Sequence, residues 1–188
     1  RLDYLSKYEF YGRLGEAAKE ACKNRKGKTQ MLLDVIDEVI RFAGEVETIK
    51  YFAYGSNMDV SQMMERCPSA KSIGVGRLAG YRFALDSEGT ATITDCRDSS
   101  VWGVVWEITG DDLVVLDRYE GVRAQCYGHS FVSINHDDQD RIVLVYISNR
   151  GENRGIMREG YLEKIIKAAA LWGFPEKYRD ELSELLHQ

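Results

Sequence analysis

The spacing of apolar residues changes at Ile49, and that break constrains the fold more than any other feature of the chain. Upstream, Leu32, Val35, Ile36, Val39, Ile40 and Ala43 recur at helical intervals over 28–47, with Asp34, Asp37, Glu38 and Arg41 on the opposite side. Thr29 is suited to cap that helix. Before it, Leu5, Tyr8, Tyr11, Leu14, Ala18 and Ala21 suggest a second amphipathic helix, weakened by Gly12 and Gly15. The polar residues 23–28 make a turn between the two. Residues 1–49 therefore predict a helical hairpin whose apolar faces need a cover, either the remainder of the chain or a second copy of it.

From Ile49 onward the chain is punctuated into short runs rich in Val, Ile, Tyr, Phe and Trp. Strands are expected over 49–54, 73–85, 90–94, 101–108, 125–134 and 141–147, with a hairpin turn in the acidic stretch 136–140. Short helices are expected over 60–67 and 111–119, and closing helices over 156–172 and 176–186. Strands with few long crossovers between them, followed by helices, favour an α+β layout with a mostly antiparallel or barrel-like sheet. Regular βαβ alternation is absent.

Size and charge narrow the function classes. A chain of 188 residues holds one medium domain with a small appendage and needs no disulfide or metal staple. The formal net charge of −5 argues against nucleic acid or an anionic membrane as the partner. The four cysteines, Cys22, Cys67, Cys96 and Cys126, are widely spaced and form no CxxC pair. They read as reduced thiols of a cytoplasmic protein, with Cys126 expected inside an apolar strand. No run is long and apolar enough to span a bilayer, and no signal-peptide run opens the chain. The first residue is Arg1 rather than Met, which predicts a fragment or a processed form.

Two strings carry candidate chemistry. In Tyr51-Phe52-Ala53-Tyr54-Gly55-Ser56-Asn57-Met58 a strand runs into Gly-Ser-Asn and a helix start, which collects backbone N–H groups in one place. Such a loop can hold an anion or a developing oxyanion. Its plain structural alternative is a tight turn in which Asn57 caps the next helix. In Leu116-Asp117-Arg118-Tyr119-Glu120-Gly121-Val122 a carboxylate falls at the end of a helix, directly before glycine. The partial negative charge there disfavours a second one, so partial burial would raise the proton affinity of Glu120. An exposed Glu before a C-terminal Gly is the plain alternative.

Taken together, the two strings resemble the γ-glutamylcyclotransferase-like family over residues 50–188. That family opens its domain on a YGSN-type strand end, here Tyr54-Gly55-Ser56-Asn57, and carries its catalytic glutamate in an EGV-type motif, here Glu120-Gly121-Val122. Tyr127, the Tyr-led helix at Tyr161 and the segment Phe174-Pro175-Glu176-Lys177-Tyr178 match its later landmarks. The resemblance implies a small mixed or antiparallel β-barrel with helices around it and one polar cavity. It also implies intramolecular aminolysis, in which the α-amine of a γ-glutamyl amide attacks its own γ-carbonyl and releases 5-oxoproline with an amine or amino acid. Glu120 would be the acid/base, Gly55, Ser56 and Asn57 the oxyanion and substrate loop, and Tyr54, Tyr127 and Tyr161 substrate or Glu120 contacts. No metal or organic cofactor is implied. Asn57 and Met58 after Tyr-Gly-Ser set the chain apart from the glutathione-specific branch. Two alternatives stand beside this reading: a γ-glutamylamine or γ-glutamyl-metabolite cyclotransferase, and a non-catalytic interaction module that keeps the fold.

Other motifs fail on their spacing. Ser56 lies in no G-x-S-x-G elbow. The glycines Gly74, Gly76 and Gly80 depart from a dinucleotide fingerprint and lie in a strand-like run, where bulges explain them better. His129, His136 and His187 are scattered, the 136–140 turn lacks calcium-loop spacing, and Trp102, Trp106 and Trp172 read as core aromatics.

Overall fold

The structure is a computed structural model and describes residues 48–152 and 158–187. The hairpin expected over 1–49 lies outside those residues but for its last two positions. Within them, five strands close into a barrel: β1 (Ile49–Ala53), β2 (Lys71–Leu85), β3 (Ala91–Ile108), β4 (Tyr127–His136) and β5 (Gln139–Ser148), in the order β1-β3-β2-β4-β5. Four pairings are antiparallel, and the seam that closes the barrel, β1 against β5, is parallel at Tyr51 and Leu144. Four α-helices accompany the barrel among the described residues: α1 (Val60–Arg66), α2 (Gly110–Tyr119), α3 (Tyr161–Leu171) and α4 (Glu176–Glu184). This is the expected α+β barrel.

Two strand expectations are corrected. The runs at 90–94 and 101–108 are one strand, β3, which resumes its pairing with β2 on either side of an irregularity: Ser100 faces Ala79 and Asp95 faces Tyr81, with residues 96–99 between them. Polarity of residues 95–100 reflects exposure of that part of a long ribbon, not a turn. Cys126, expected inside a strand, lies in a bend just before β4 and is partly exposed.

The glycine run does belong to a curved strand. Register shifts fall between Ser72 and Gly74 and between Ala79 and Tyr81, and Gly74 and Gly80 have φ of 125° and 81°. Those values favour residues without Cβ, so the bulges that bend β2 are placed where the sequence supplies glycine. The β4–β5 hairpin turns on Asp137 and Asp138, both left-handed at φ 51° and 56°. A two-residue turn of that kind matches the twist of the strands it joins.

The core runs through the barrel wall. Phe52, Val101, Val104, Val105, Ile108, Val143 and Val145 are all fully buried, and complete burial of such side chains is worth about 1.5–3 kcal/mol each. Backbones approach closely at Gly103, where a Cβ would stand 2.5 Å from the Ala53 carbonyl oxygen and 2.6 Å from the Phe52 ring. The end of helix α3 is tied to the turn that follows β1 by Trp172, whose indole Nε1 donates to Met58 O at 2.8 Å.

Candidate active site

Each functional string is placed by local chemistry. After β1 the chain makes a 3₁₀ turn over Ser56–Met58, in which Met58 N–H bonds to Gly55 O and Asp59 N–H to Ser56 O. The N–H groups of Ser56 and Asn57 come before those bonds and are left outside them. Asp59, not Asn57, caps the next helix, since its carboxylate accepts from Gln62 N at 2.8 Å. Asn57 is thereby free for another task, and it is buried.

Helix α2 begins with a capping box: Thr109 Oγ1 accepts from Asp112 N at 3.1 Å, and Asp112 Oδ2 accepts from Thr109 N at 2.9 Å. It ends at Glu120, and Gly121 follows in the left-handed conformation at φ 65°. That stop directs the Glu120 side chain to the turn after β1. Asn57 Nδ2 donates to Glu120 Oε1 at 3.1 Å and to Tyr51 Oη at 2.9 Å. The Glu120 side chain keeps 17% of its exposure, and Arg66 Nη1 stands 3.9 Å away.

Burial raises the affinity of the Glu120 carboxyl for its proton. The Arg66 charge and the Asn57 hydrogen bond oppose that effect, Asp117 adds to it, and the net direction is upward.

Glu120 and the 55–57 turn line one cleft together with Ala91 and five tyrosines: Tyr51, Tyr54, Tyr127, Tyr146 and Tyr161. The cleft encloses about 310 Å³, counting its open mouth. Burial pushes all five phenols above their usual range, so their hydroxyls stay protonated at neutral pH. Among the described residues, Glu120 is therefore the only carboxyl on a wall of neutral donors and acceptors.

Among known proteins, residues 100–182 match the AIG2-like family. A γ-glutamylcyclotransferase from Bos taurus is 28% identical over 149 residues, covering 74% of this chain and 79% of the relative. The γ-glutamylcyclotransferase of Homo sapiens is 35% identical over 150 residues, with 74% of this chain and 79% of the relative covered. The chain belongs to the γ-glutamylcyclotransferase family. A solved γ-glutamyl cyclotransferase superposes with a TM-score of 0.68 at 27% identity, covering 73% of this chain and 87% of that one.

All seven residues expected at the site line this one cleft. Their hydroxyls are not equivalent. Tyr54 Oη donates to Tyr146 O at 2.7 Å, and the single Tyr127 hydrogen is held between Ala91 O at 2.7 Å and Thr90 Oγ1 at 2.9 Å, so both hydrogens are engaged within the protein. Tyr161 Oη instead accepts from Ala91 N at 3.2 Å, and its own hydrogen remains for the Ser56 side chain or for a ligand.

Tyr51, Tyr146 and Arg66 also shape the site and were not expected from the sequence. Tyr51 was legible in principle, standing in the same motif as Tyr54. Tyr146 and Arg66 carry no local signal. Tyr146 Oη donates to Asp117 Oδ1 at 2.6 Å, a bond between β5 and α2. Among the described residues, neither the glycine run nor His129 or His136 enters the lining. His136 is buried with Nδ1 3.0 Å from Val75 O, a structural placement. Among the described residues, no cluster of three or more His, Cys, Asp or Glu side chains could hold a metal ion, and no helix is long and apolar enough to cross a membrane.

Proposed function

We propose that this chain cyclises a γ-glutamyl amide to 5-oxoproline, with Glu120 as the proton carrier and the Gly55–Ser56–Asn57 turn as the oxyanion and substrate loop. One observation carries the reading: the buried carboxyl of Glu120 shares a cleft, and through Asn57 a hydrogen bond, with a turn whose amides lie outside its own bonding.

The substrate's α-ammonium group must lose a proton before its nitrogen can attack the γ-carbonyl. Glu120, as carboxylate, takes that proton, and a C–N bond closes the five-membered ring. The carbonyl oxygen gains negative charge, which the Ser56 and Asn57 amides are placed to receive. Glu120 then gives that proton to the departing nitrogen as the original C–N bond breaks, and takes the second proton that the ring nitrogen sheds to become the lactam N–H, passing it to the released amine. The raised proton affinity of Glu120 suits both halves of this exchange, because a catalytic group works best when its pKa approaches the operating pH. Ring closure involves no redox step, and holding the reactive rotamer is a matter of fit in a cleft walled by tyrosines.

The proposal extends to a cytoplasmic setting, consistent with Cys67, Cys96 and Cys126 being free thiols. The test is release of 5-oxoproline from a panel of γ-glutamyl amino acids, γ-glutamylamines and larger γ-glutamyl metabolites, for wild type and Glu120→Gln. Turnover by wild type with a loss of about 10²–10⁴ in Glu120→Gln is expected. Equal activity of the two proteins sinks the mechanism, and no turnover of any compound favours an interaction module.

A further inference from the structure

The polarity of the Asn57 carboxamide is imposed from the side away from Glu120. An amide's oxygen and nitrogen ends are told apart by their partners, and here the partners are decisive. Arg66 Nη1 lies 2.8 Å from one end of the Asn57 carboxamide, and a guanidinium can only donate. That end is therefore Oδ1. Gln62 Nε2 converges on the same oxygen at 3.1 Å and reaches Ser56 Oγ at 2.9 Å. Gln62 is itself oriented by Lys164 Nζ, another obligate donor, 2.7 Å from its Oε1. With Oδ1 occupied by two donors, both hydrogens of Nδ2 point to Tyr51 Oη and Glu120 Oε1. Turning the amide over would face an oxygen to the Glu120 carboxylate and an NH2 to the guanidinium, unfavourable at both ends.

We propose that Arg66, assisted by Gln62 and Lys164, is a positioning residue of the site: it fixes the Asn57 carboxamide so that Nδ2 holds the Glu120 carboxyl in place. The proposal rests on the reading of Glu120 as proton carrier. Arg66 is 3.9 Å from Glu120, beyond hydrogen-bond distance, so its effect passes through Asn57 and through its field. Its guanidinium also lies over the Tyr119 ring at 4.3 Å, next to Glu120 in the chain. The end of α1 is thus braced against the end of α2 at the point where the acid emerges. Asp59, by capping α1, sets the helix that carries both Gln62 and Arg66.

The titratable and charged groups facing Glu120 are Tyr51 and Tyr54 from β1, Arg66 from α1, Asp117 from α2, Tyr127 from β4, Tyr146 from β5 and Tyr161 from α3. None of the phenols ionises near neutrality, so a titration of Glu120 reports on Arg66, Asn57 and Asp117.

The experiment is a double-mutant cycle between Arg66→Met and Asn57→Ala, read by the ¹³C NMR titration midpoint of the Glu120 carboxyl, which needs no turnover. Both single variants are expected to move the midpoint upward, and the double variant by less than the sum. Where wild type releases 5-oxoproline, kcat should fall roughly 10- to 100-fold in Arg66→Met with KM little changed, and much of that loss should vanish in the Asn57→Ala background. Midpoint shifts that add in full, or an Arg66→Met protein that titrates like wild type, overturn the proposal. If Arg66→Met does not fold, Gln62→Leu replaces it in the cycle, with a smaller shift in the same direction expected and full additivity again fatal. A wild type that turns over nothing counts against the cyclotransferase reading alone, since the titration cycle still decides the positioning.

Discussion

Asn57 and Glu120 stand 63 positions apart in the chain and meet at 3.1 Å, a turn after the first barrel strand bonded to the last residue of a helix. Everything proposed for the site depends on that meeting, and the burial of Glu120 beside it is visible in the protonation of its carboxyl. A carboxyl that burial holds above its usual value near 4.5 binds more protons in the folded state than in the unfolded one.

Stability should accordingly fall as pH rises from 4.5 through the folded-state value, because the buried carboxyl is being forced to ionise. Glu120→Gln removes that penalty while keeping the shape. Thermal unfolding of the variant at pH 7–8 is expected at or above the wild-type midpoint, together with lost activity. A clearly lower midpoint for Glu120→Gln would show that the carboxylate contributes to stability instead.

Tyr127→Phe and Tyr161→Phe should differ in kind. Removing the Tyr127 hydroxyl leaves the buried Ala91 carbonyl without its 2.7 Å donor, so a stability loss of about 1–3 kcal/mol is expected, measurable by urea denaturation. Tyr161 accepts from Ala91 N and faces Ser56, itself a cleft residue, so its hydroxyl takes part in the cleft. Its loss also takes the acceptor from Ala91 N, so what sets Tyr161→Phe apart is an added fall in kcat/KM, by roughly tenfold for one hydrogen bond of about 1.4 kcal/mol. Identical effects of the two substitutions would contradict the assignment of their hydrogens.

Asp86 supports the same wall from behind. It is fully buried, with Oδ1 accepting from Glu88 N at 3.0 Å and Thr90 N at 2.9 Å, and Oδ2 from Thr90 Oγ1 at 2.9 Å and Ser148 Oγ at 2.7 Å. Burial pushes the carboxyl up, but the bonds from Thr90, Ser148 and Glu88 together hold it below 3.8. A depressed carboxyl contributes stability above its unfolded value and loses it as pH falls through the folded one. Asp86→Asn sets an NH2 against two hydroxyl donors and should cost about 1–3 kcal/mol at pH 7. The gap between variant and wild type in urea denaturation should narrow below pH 3.8. A gap independent of pH would place the loss in packing.

The local windows were the legible part. Aromatic and β-branched runs announced the barrel strands, the acidic residues at the start of α2 announced its N-terminus, and the Gly121 stop marked where Glu120 would emerge. The Tyr54-Gly55-Ser56-Asn57 and Glu120-Gly121-Val122 strings supplied five of the residues that line the cleft, and the later landmarks Tyr127 and Tyr161 supplied two more. In each case the property resides in neighbouring residues, so a few positions suffice to read it. The polar stretch 95–100 misled for the same reason, because exposure on a long ribbon looks like a turn within a short window.

By itself, the sequence determined an α+β barrel, the two motifs and the candidate acid Glu120. Only the tertiary structure decided what Glu120 touches. Asn57 abandons the helix cap to Asp59 because barrel closure brings α2 to it, Arg66 reaches back from the end of α1, and Tyr146 arrives from β5, whose carbonyl meets the Tyr54 hydroxyl across 92 positions. Such contacts join residues that share no helical or strand period. The pairing of β1 with β3, which leads into α2, brings Glu120 toward Asn57, and the parallel seam between β1 and β5 brings Tyr146 to Tyr54.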